Sequence, residues 1–391
     1  MLHSITSKDS RTQQFMNLKA NEALASEALS RLTFTRFIAA MIVVIYHFGS
    51  STWPFSSDAT RWLVNQGQAS VSYFYCLSGF IMAIVYSANS TTPLNKRSFW
   101  VARIARIYPC FLISIIFGTY YYGGRNIQET IEIAIGLQPW IFDRLSHVNP
   151  PAWSIGVEAF FYLIFPFTII AFTKSRIKIA ALFTISLWML TMILSVKAVI
   201  ANGTTPSPEA MYFNLYNPLM HLNEFFLGVL AGSFLTIKRD RPIRLLHPAV
   251  PFLLLCTVLI ARSMNGFPTI NGLHFANGAL APLFVWLIAS IANAKQSTLA
   301  LLNRRPFVLL GEASYAMYVL HYPLRLCFYT NIPVELRNSP LTELLIYCAL
   351  LITLSIFVHL AIENPLRILI RKFATPVRNK ESETPTRTTT S

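Results

Sequence analysis

Charge is what this sequence has least of. Only 13% of its 391 residues are Asp, Glu, Lys or Arg, about half the roughly 25% usual in soluble proteins, while 54% are hydrophobic. That balance excludes a soluble globular chain and points to a membrane protein. Acidic residues are the scarcer sign, 17 against 32 Lys and Arg, so the formal net charge is +15. No basic globular domain accompanies that excess, which excludes nucleic acid as a partner and leaves the charge to be explained otherwise. Cysteine is also sparse. Cys76, Cys110, Cys256, Cys327 and Cys348 lie in or beside apolar runs without a CxxC pair, so neither a disulfide framework nor a metal site is implied. The first 33 residues lack the apolar core and cleavage site of a secretory signal, so the first membrane helix is expected to stay attached. No loop is long enough for a separate soluble catalytic domain, and no repeat of solenoid period is present. Any chemistry therefore belongs among the helices.

What the sequence does have is apolar runs long enough for about 30 Å of hydrocarbon. Ten are expected to form helices: Phe34 to Ser51, Gln68 to Tyr86, Ala105 to Tyr122, Trp153 to Thr173, Ile177 to Val199, Pro218 to Ile237, Pro248 to Ala261, Ala276 to Ala292, Pro306 to Leu324 and Leu341 to Ile362. The expected fold is an all-α, polytopic membrane bundle. Sorting Lys and Arg onto alternate sides puts 25 of the 32 on one side, the side of both termini, and seven on the other. Basic residues are retained in the cytoplasm, so both termini are assigned there and the net charge becomes a topology signal. Residues 1–33 read as a cytoplasmic segment, 34–369 as the membrane domain and 370–391 as a disordered cytoplasmic tail. The longest connection on the other side, Gly123 to Ala152, contains an apolar stretch, Ile127 to Phe142, too short and interrupted to span. It is expected to be interfacial or re-entrant.

Ionisable residues inside the apolar runs carry the functional signal, because each costs about 2.5 to 3.5 kcal/mol at mid-helix by insertion scales. Arg36 and His47 lie eleven residues apart on the first helix, roughly 16 Å along its axis. His47 is thereby placed near the outer face, with Glu158 and His321 expected at a similar depth and His221 and Glu224 on a further helix. Arg36, Arg103 and Arg106 cluster at the inner end. The plain readings are topology-setting charge for the arginines and helix-packing hydrogen bonds for His and Glu. For His221, Glu224 and His359 packing weighs more heavily, while Ser78 and Gly79 read as close-packing residues because no base is beside Ser78 in sequence. A functional path between two compartments leaves two classes open: an enzyme, or a proton-coupled transporter of acidic or acylated solutes using the His/Glu layer as a relay.

The order of the segments favours the enzyme. RFIAAMIVVIYH (Arg36 to His47), YFYCLSGFIM (Tyr73 to Met82), RIARIYP (Arg103 to Pro109), WSIGVEAFFYLIFP (Trp153 to Pro166), EFFLGVLAG (Glu224 to Gly232), SYAMYVLHYPL (Ser314 to Leu324) and IENP (Ile362 to Pro365) together resemble the integral-membrane acyltransferase 3 family over about Leu32 to Leu369. No counterpart of the hydrolase-like domain that some members append is expected within these residues. The resemblance implies transfer of an acyl group, most often acetyl, from cytoplasmic acyl-CoA to a sugar hydroxyl across the bacterial inner membrane, with no permanently bound cofactor and the lipid bilayer as its surroundings. His47 is then expected as general base, Glu158 as the carboxylate orienting its imidazole, and His321 as a further catalytic group. Arg36, Arg103 and Arg106 are expected to hold the CoA phosphates, and His221 with Glu224 to contact the carbohydrate acceptor.

Overall fold

The computed structural model describes residue 26 and residues 29–64, 67–87, 94–123, 127–142, 148–200, 207–238, 247–263 and 278–374. The expected tail beyond residue 374 and most of the N-terminal segment lie outside them. Among the described residues the regular structure is helical throughout, without a strand, as a chain in hydrocarbon requires when each backbone donor must be satisfied within its own segment.

Fourteen α-helices follow in order: α1 (Leu29–Phe48), α2 (Asp58–Val64), α3 (Gly67–Ser87), α4 (Lys96–Tyr122), α5 (Ile127–Ala134), α6 (Trp153–Thr168), α7 (Ile177–Ile200), α8 (Pro208–Tyr216), α9 (Pro218–Ile237), α10 (Ala249–Ser263), α11 (Ala281–Ala292), α12 (Arg305–Asn331), α13 (Pro340–Val358) and α14 (Asn364–Ala374). Each of the ten expected runs coincides with a helix. Seven helical stretches have the length and apolarity that crossing a membrane demands, Leu29–Phe48, Gly67–Tyr86, Lys96–Tyr122, Pro150–Ala171, Ile177–Lys197, Pro208–Ile237 and Pro340–Phe373, with Ala249–Ala261 and Ala281–Ala292 shorter. The chain is thus a multi-pass membrane protein.

Two boundaries differ from the expectation. Helix α1 already includes Leu29, inside the segment assigned to the polar N-terminus, where Leu32 is fully buried and Arg31 is nearly so. The Arg31 guanidinium donates to the carbonyls of Ala292 and Ala294, capping the C-terminal end of α11, where carbonyls lack helical partners. At the other end, α13 passes through a π-helical turn (His359–Glu363) into α14, which continues beyond residue 369.

The tightest packing joins α3 to α9. A Cβ added at Gly79 would lie 2.1 Å from the Phe225 carbonyl, and one at Gly228 would lie 2.0 Å from the Cys76 carbonyl. Backbone therefore meets backbone at both glycines, the close approach that small residues permit between membrane helices. Gly232 repeats the contact one turn on, 2.6 Å from the Phe80 carbonyl by the same measure.

The connection between α4 and α6 dips into the bundle. Helix α5 is only eight residues long and too short to span. After it Val148, Asn149, Pro151 and Ala152 are buried. Asn149 Nδ2 donates to the Val319 carbonyl of α12 at 3.0 Å and to Ser114 Oγ of α4 at 3.2 Å. Helix α6 therefore begins inside the protein rather than at its rim.

Because Gly228 lies against backbone, Gly228→Ala should force α3 and α9 apart and lower stability by about 1–3 kcal/mol. Thermal unfolding of the purified protein in detergent measures this, and an unchanged midpoint would show that the two helices slide freely.

Candidate active site

Five helices, α1, α3, α4, α6 and α12, enclose a cavity of about 270 Å³ whose polar lining includes Arg36, Ser78, Arg103, Arg106, Glu158 and Tyr162. Helical spacing delivers each of them. Leu29, Thr33 and Arg36 share one stripe of α1, Arg103 and Arg106 are three apart on α4, and Ser154, Glu158 and Tyr162 repeat every four residues along α6. All three sequence-predicted arginines thus converge on one space, with Arg106 and Glu158 acting electrostatically on Arg36. Arg103 lies over the rings of Phe99 and Tyr162, each 5.7 Å from centroid, a cation–π arrangement. Its Nε is buried without a hydrogen-bond partner among the described residues.

Glu158 is not where the sequence placed it. It was expected in one outer layer with His47, in the role of holding its imidazole; the structure puts it in the arginine cavity. Its Oε1 accepts from Ser78 Oγ of α3 at 3.2 Å and from the Tyr162 hydroxyl one turn along α6. Sequence reasoning missed this contact: Ser78 and Glu158 are 80 positions apart, and no local spacing signals it.

His47 meets His321 instead. Their Nδ1 and Nε2 atoms lie 3.2 Å apart, with stacked rings at 5.2 Å. His321 is fully buried and His47 is exposed. The protons can be assigned in sequence. His321 Nδ1 is 2.5 Å from the Tyr318 carbonyl, which only accepts, so this nitrogen carries a proton. In the neutral ring Nε2 is then an acceptor and takes the Nδ1–H of His47. His47 also hydrogen-bonds the Val43 carbonyl one turn back along α1. The Tyr347 hydroxyl donates to the His321 carbonyl, and Phe48 packs against both imidazoles.

The cavity and the histidine pair are neighbours without being one space. Tyr318 lines the cavity, its hydroxyl is 2.7 Å from Ser154 Oγ, and Phe74 meets its ring at 5.9 Å. His321 lies three residues further along α12.

His221 and Glu224, expected to touch substrate, lie off this cavity. They are 1% and 0% exposed and paired at 3.1 Å, three residues apart on α9. The remaining imidazole nitrogen meets the Leu215 carbonyl at 2.9 Å and Ser72 donates to Glu224 at 2.7 Å. Every polar atom of the pair is thereby engaged in tying α8, α9 and α3 together. His359 is likewise engaged, 3.1 Å from Glu363 and 3.6 Å from Glu312. A second, largely apolar cavity of about 310 Å³ adjoins the first between α4 and α6 and shares Arg103, Ile155 and Tyr162 with it.

The acyltransferase domain family Acyl_transf_3 matches residues 29–360, a range that contains the whole cavity and the histidine pair. The chain belongs to the acyltransferase 3 family. It is 26% identical to the acyltransferase MdmB of Streptomyces mycarofaciens over 318 residues, covering 75% of this chain and 78% of that protein. It is also 26% identical to the exopolysaccharide production protein ExoZ of Rhizobium meliloti (strain 1021) over 268 residues, 65% of this chain and 75% of that one. Against the O-acetyltransferase OatA of Staphylococcus aureus (strain NCTC 8325 / PS 47), identity is 23% over 328 residues, 74% of this chain but 49% of OatA. The acyltransferase 3 chain thus spans about half of OatA's length. No solved structure matches it.

The closed His221–Glu224 pair makes a stability prediction. His221→Ala leaves a buried carboxylate without its imidazole and should cost about 3–5 kcal/mol, read by thermal unfolding in detergent. A variant that unfolds like the parent would contradict the packing role.

Proposed function

We propose that this acyltransferase moves an acyl group, acetyl in the simplest case, from cytoplasmic acyl-CoA to a hydroxyl of a surface or exported carbohydrate on the far side of the bacterial inner membrane. The observation that carries the reading is the polarity of the site: three arginines share one cavity, and that cavity reaches Tyr318, one turn before buried His321, which pairs with exposed His47. The excess of Lys and Arg in the segments that alternate onto the side of both termini when ten helices are taken to cross supports donor approach at the arginine end.

The residues suit these two tasks. Guanidinium groups stay charged and grip phosphate bidentately, so Arg36, Arg103 and Arg106 match the phosphates of CoA. Arg36 and His47 stand roughly 16 Å apart along α1, a separation for the extended pantetheine arm to bridge. At the far end a sugar hydroxyl is a poor nucleophile near neutral pH. His47 Nε2 accepts its proton as the oxygen attacks the acyl carbon. The imidazolium that forms keeps its Nδ1–H on His321 Nε2, and His321 is held by the Tyr318 carbonyl. His321 thus does here what was expected of Glu158, fixing the tautomer and orientation of the base. His221 and Glu224 support this site by holding α9 against α3.

The two ends should fail differently. Arg36→Ala removes a charge-assisted contact of about 1.5 to 3 kcal/mol and should weaken acetyl-CoA binding roughly tenfold to a hundredfold. Lys there should restore only part, since a point charge lacks the bidentate fork. His47→Ala should leave donor affinity unchanged and cut transfer by on the order of 100- to 10,000-fold. Calorimetric titration with acetyl-CoA beside an assay of CoA release measures both, and equal donor affinity in parent and Arg36→Ala would contradict the donor site.

A further inference from the structure

Glu224, Glu363 and Glu158 lie among the long apolar helices and make contrasting contacts. Glu224 and Glu363 are 0% and 1% exposed, and each holds an imidazole on its own helical stretch. Glu158 holds no imidazole among the described residues. It accepts from two hydroxyls, Ser78 and Tyr162, and it faces the arginine cavity. Glu158 is half-buried against that cavity. Ser78 is likewise half-buried, lining the same cavity.

The position of the cavity sets an order of encounter. A donor whose phosphates rest on Arg36, Arg103 and Arg106 extends its thioester toward the histidine pair along a space lined by Ser78, Phe74 and Tyr318. Ser78 stands inside that space, one turn of α3, about 6 Å, from Phe74. The thioester therefore meets Ser78 before it meets the histidine pair. We infer that Ser78 is a catalytic nucleophile that carries the acyl group as an ester between donor and acceptor, with Glu158 as its proton acceptor. This inference rests on the acyl-CoA reading above and adds a covalent step to it.

The chemistry balances. Ser78 Oγ attacks the thioester carbonyl carbon, the Oγ–C bond forms and the C–S bond breaks. The Oγ proton passes to Glu158 Oε1, 3.2 Å away, and from there to the departing CoA thiolate, which leaves as free thiol. Activation of a serine by an adjacent base within hydrogen-bond reach is the general route to acyl-enzymes. The guanidinium groups lining the same cavity supply positive charge where the carbonyl oxygen becomes anionic. In the second half the acceptor hydroxyl, deprotonated by His47, attacks the ester carbonyl. The Oγ–C bond breaks, and Ser78 regains a proton from the His47 imidazolium.

A covalent intermediate predicts exchange in the absence of any acceptor. The purified full-length protein, given acetyl-CoA and isotopically labelled CoA, should scramble label between them. Acid quenching followed by peptide mass mapping should find one acetyl group on the peptide containing Ser78. Ser78→Ala should abolish exchange and adduct while binding acetyl-CoA with parental affinity by calorimetry. Ser78→Cys should recover part of the exchange through a thioester that hydroxylamine cleaves. Glu158→Gln, which keeps the shape but takes no proton, should slow exchange by on the order of 100- to 10,000-fold. Parent protein that binds acetyl-CoA yet shows neither exchange nor adduct would overturn the proposal, as would full exchange in Ser78→Ala. A parent that does not bind acetyl-CoA at all would overturn the donor reading, and the inference with it.

Discussion

The constraint on which this structure depends is the cost of holding charge in hydrocarbon. An ionisable side chain within a membrane helix needs a partner or a polar cavity, and the chain meets that demand in two ways. His221 with Glu224, His359 with Glu363, and Arg325 with Glu343 are closed pairs at 3.0–3.1 Å. Around the central cavity the balance is left open: three guanidinium groups face one carboxylate, and that carboxylate is bonded to hydroxyls. The closed pairs hold helices together, while the open cavity keeps uncompensated positive charge for an anion to meet.

Glycine makes that arrangement possible. With backbone on backbone at Gly79 and Gly228, α3 lies close enough to α9 for Ser72 to reach Glu224. Ser78, next to Gly79, turns toward α6 instead and reaches Glu158. One close helix crossing thus serves a buried structural network on one side of α3 and the cavity on the other. The same economy appears on α12, where Tyr318 closes the cavity with its ring, holds Ser154 with its hydroxyl and orients His321 with its carbonyl.

Much of this was legible in the sequence, and the failures have physical causes. Apolar runs located the helices because hydrocarbon thickness sets their length. The arginines were grouped correctly because Arg36, Arg103 and Arg106 occupy corresponding ends of their helices. Glu158 was misplaced because depth was counted from the end of an apolar run, whereas Asn149 pulls the preceding chain into the bundle before α6 begins. The His221–Glu224 pair was readable from its i, i+3 spacing, which lets two side chains on one helix satisfy each other. The contacts of Ser78 with Glu158 and of His47 with His321, 80 and 274 positions apart, are products of the fold alone.

The central claim is that one chain connects a donor held at its arginine end to an acceptor at its histidine end. Sealed vesicles carrying the protein in a single orientation test it most directly, with labelled acetyl-CoA supplied to the face of the N-terminus and bacterial surface polysaccharide confined to the opposite face. The account predicts labelled acetyl ester on the polysaccharide across the intact membrane, and none when the two reagents are interchanged. Acetylation only when donor and polysaccharide share a face would contradict it.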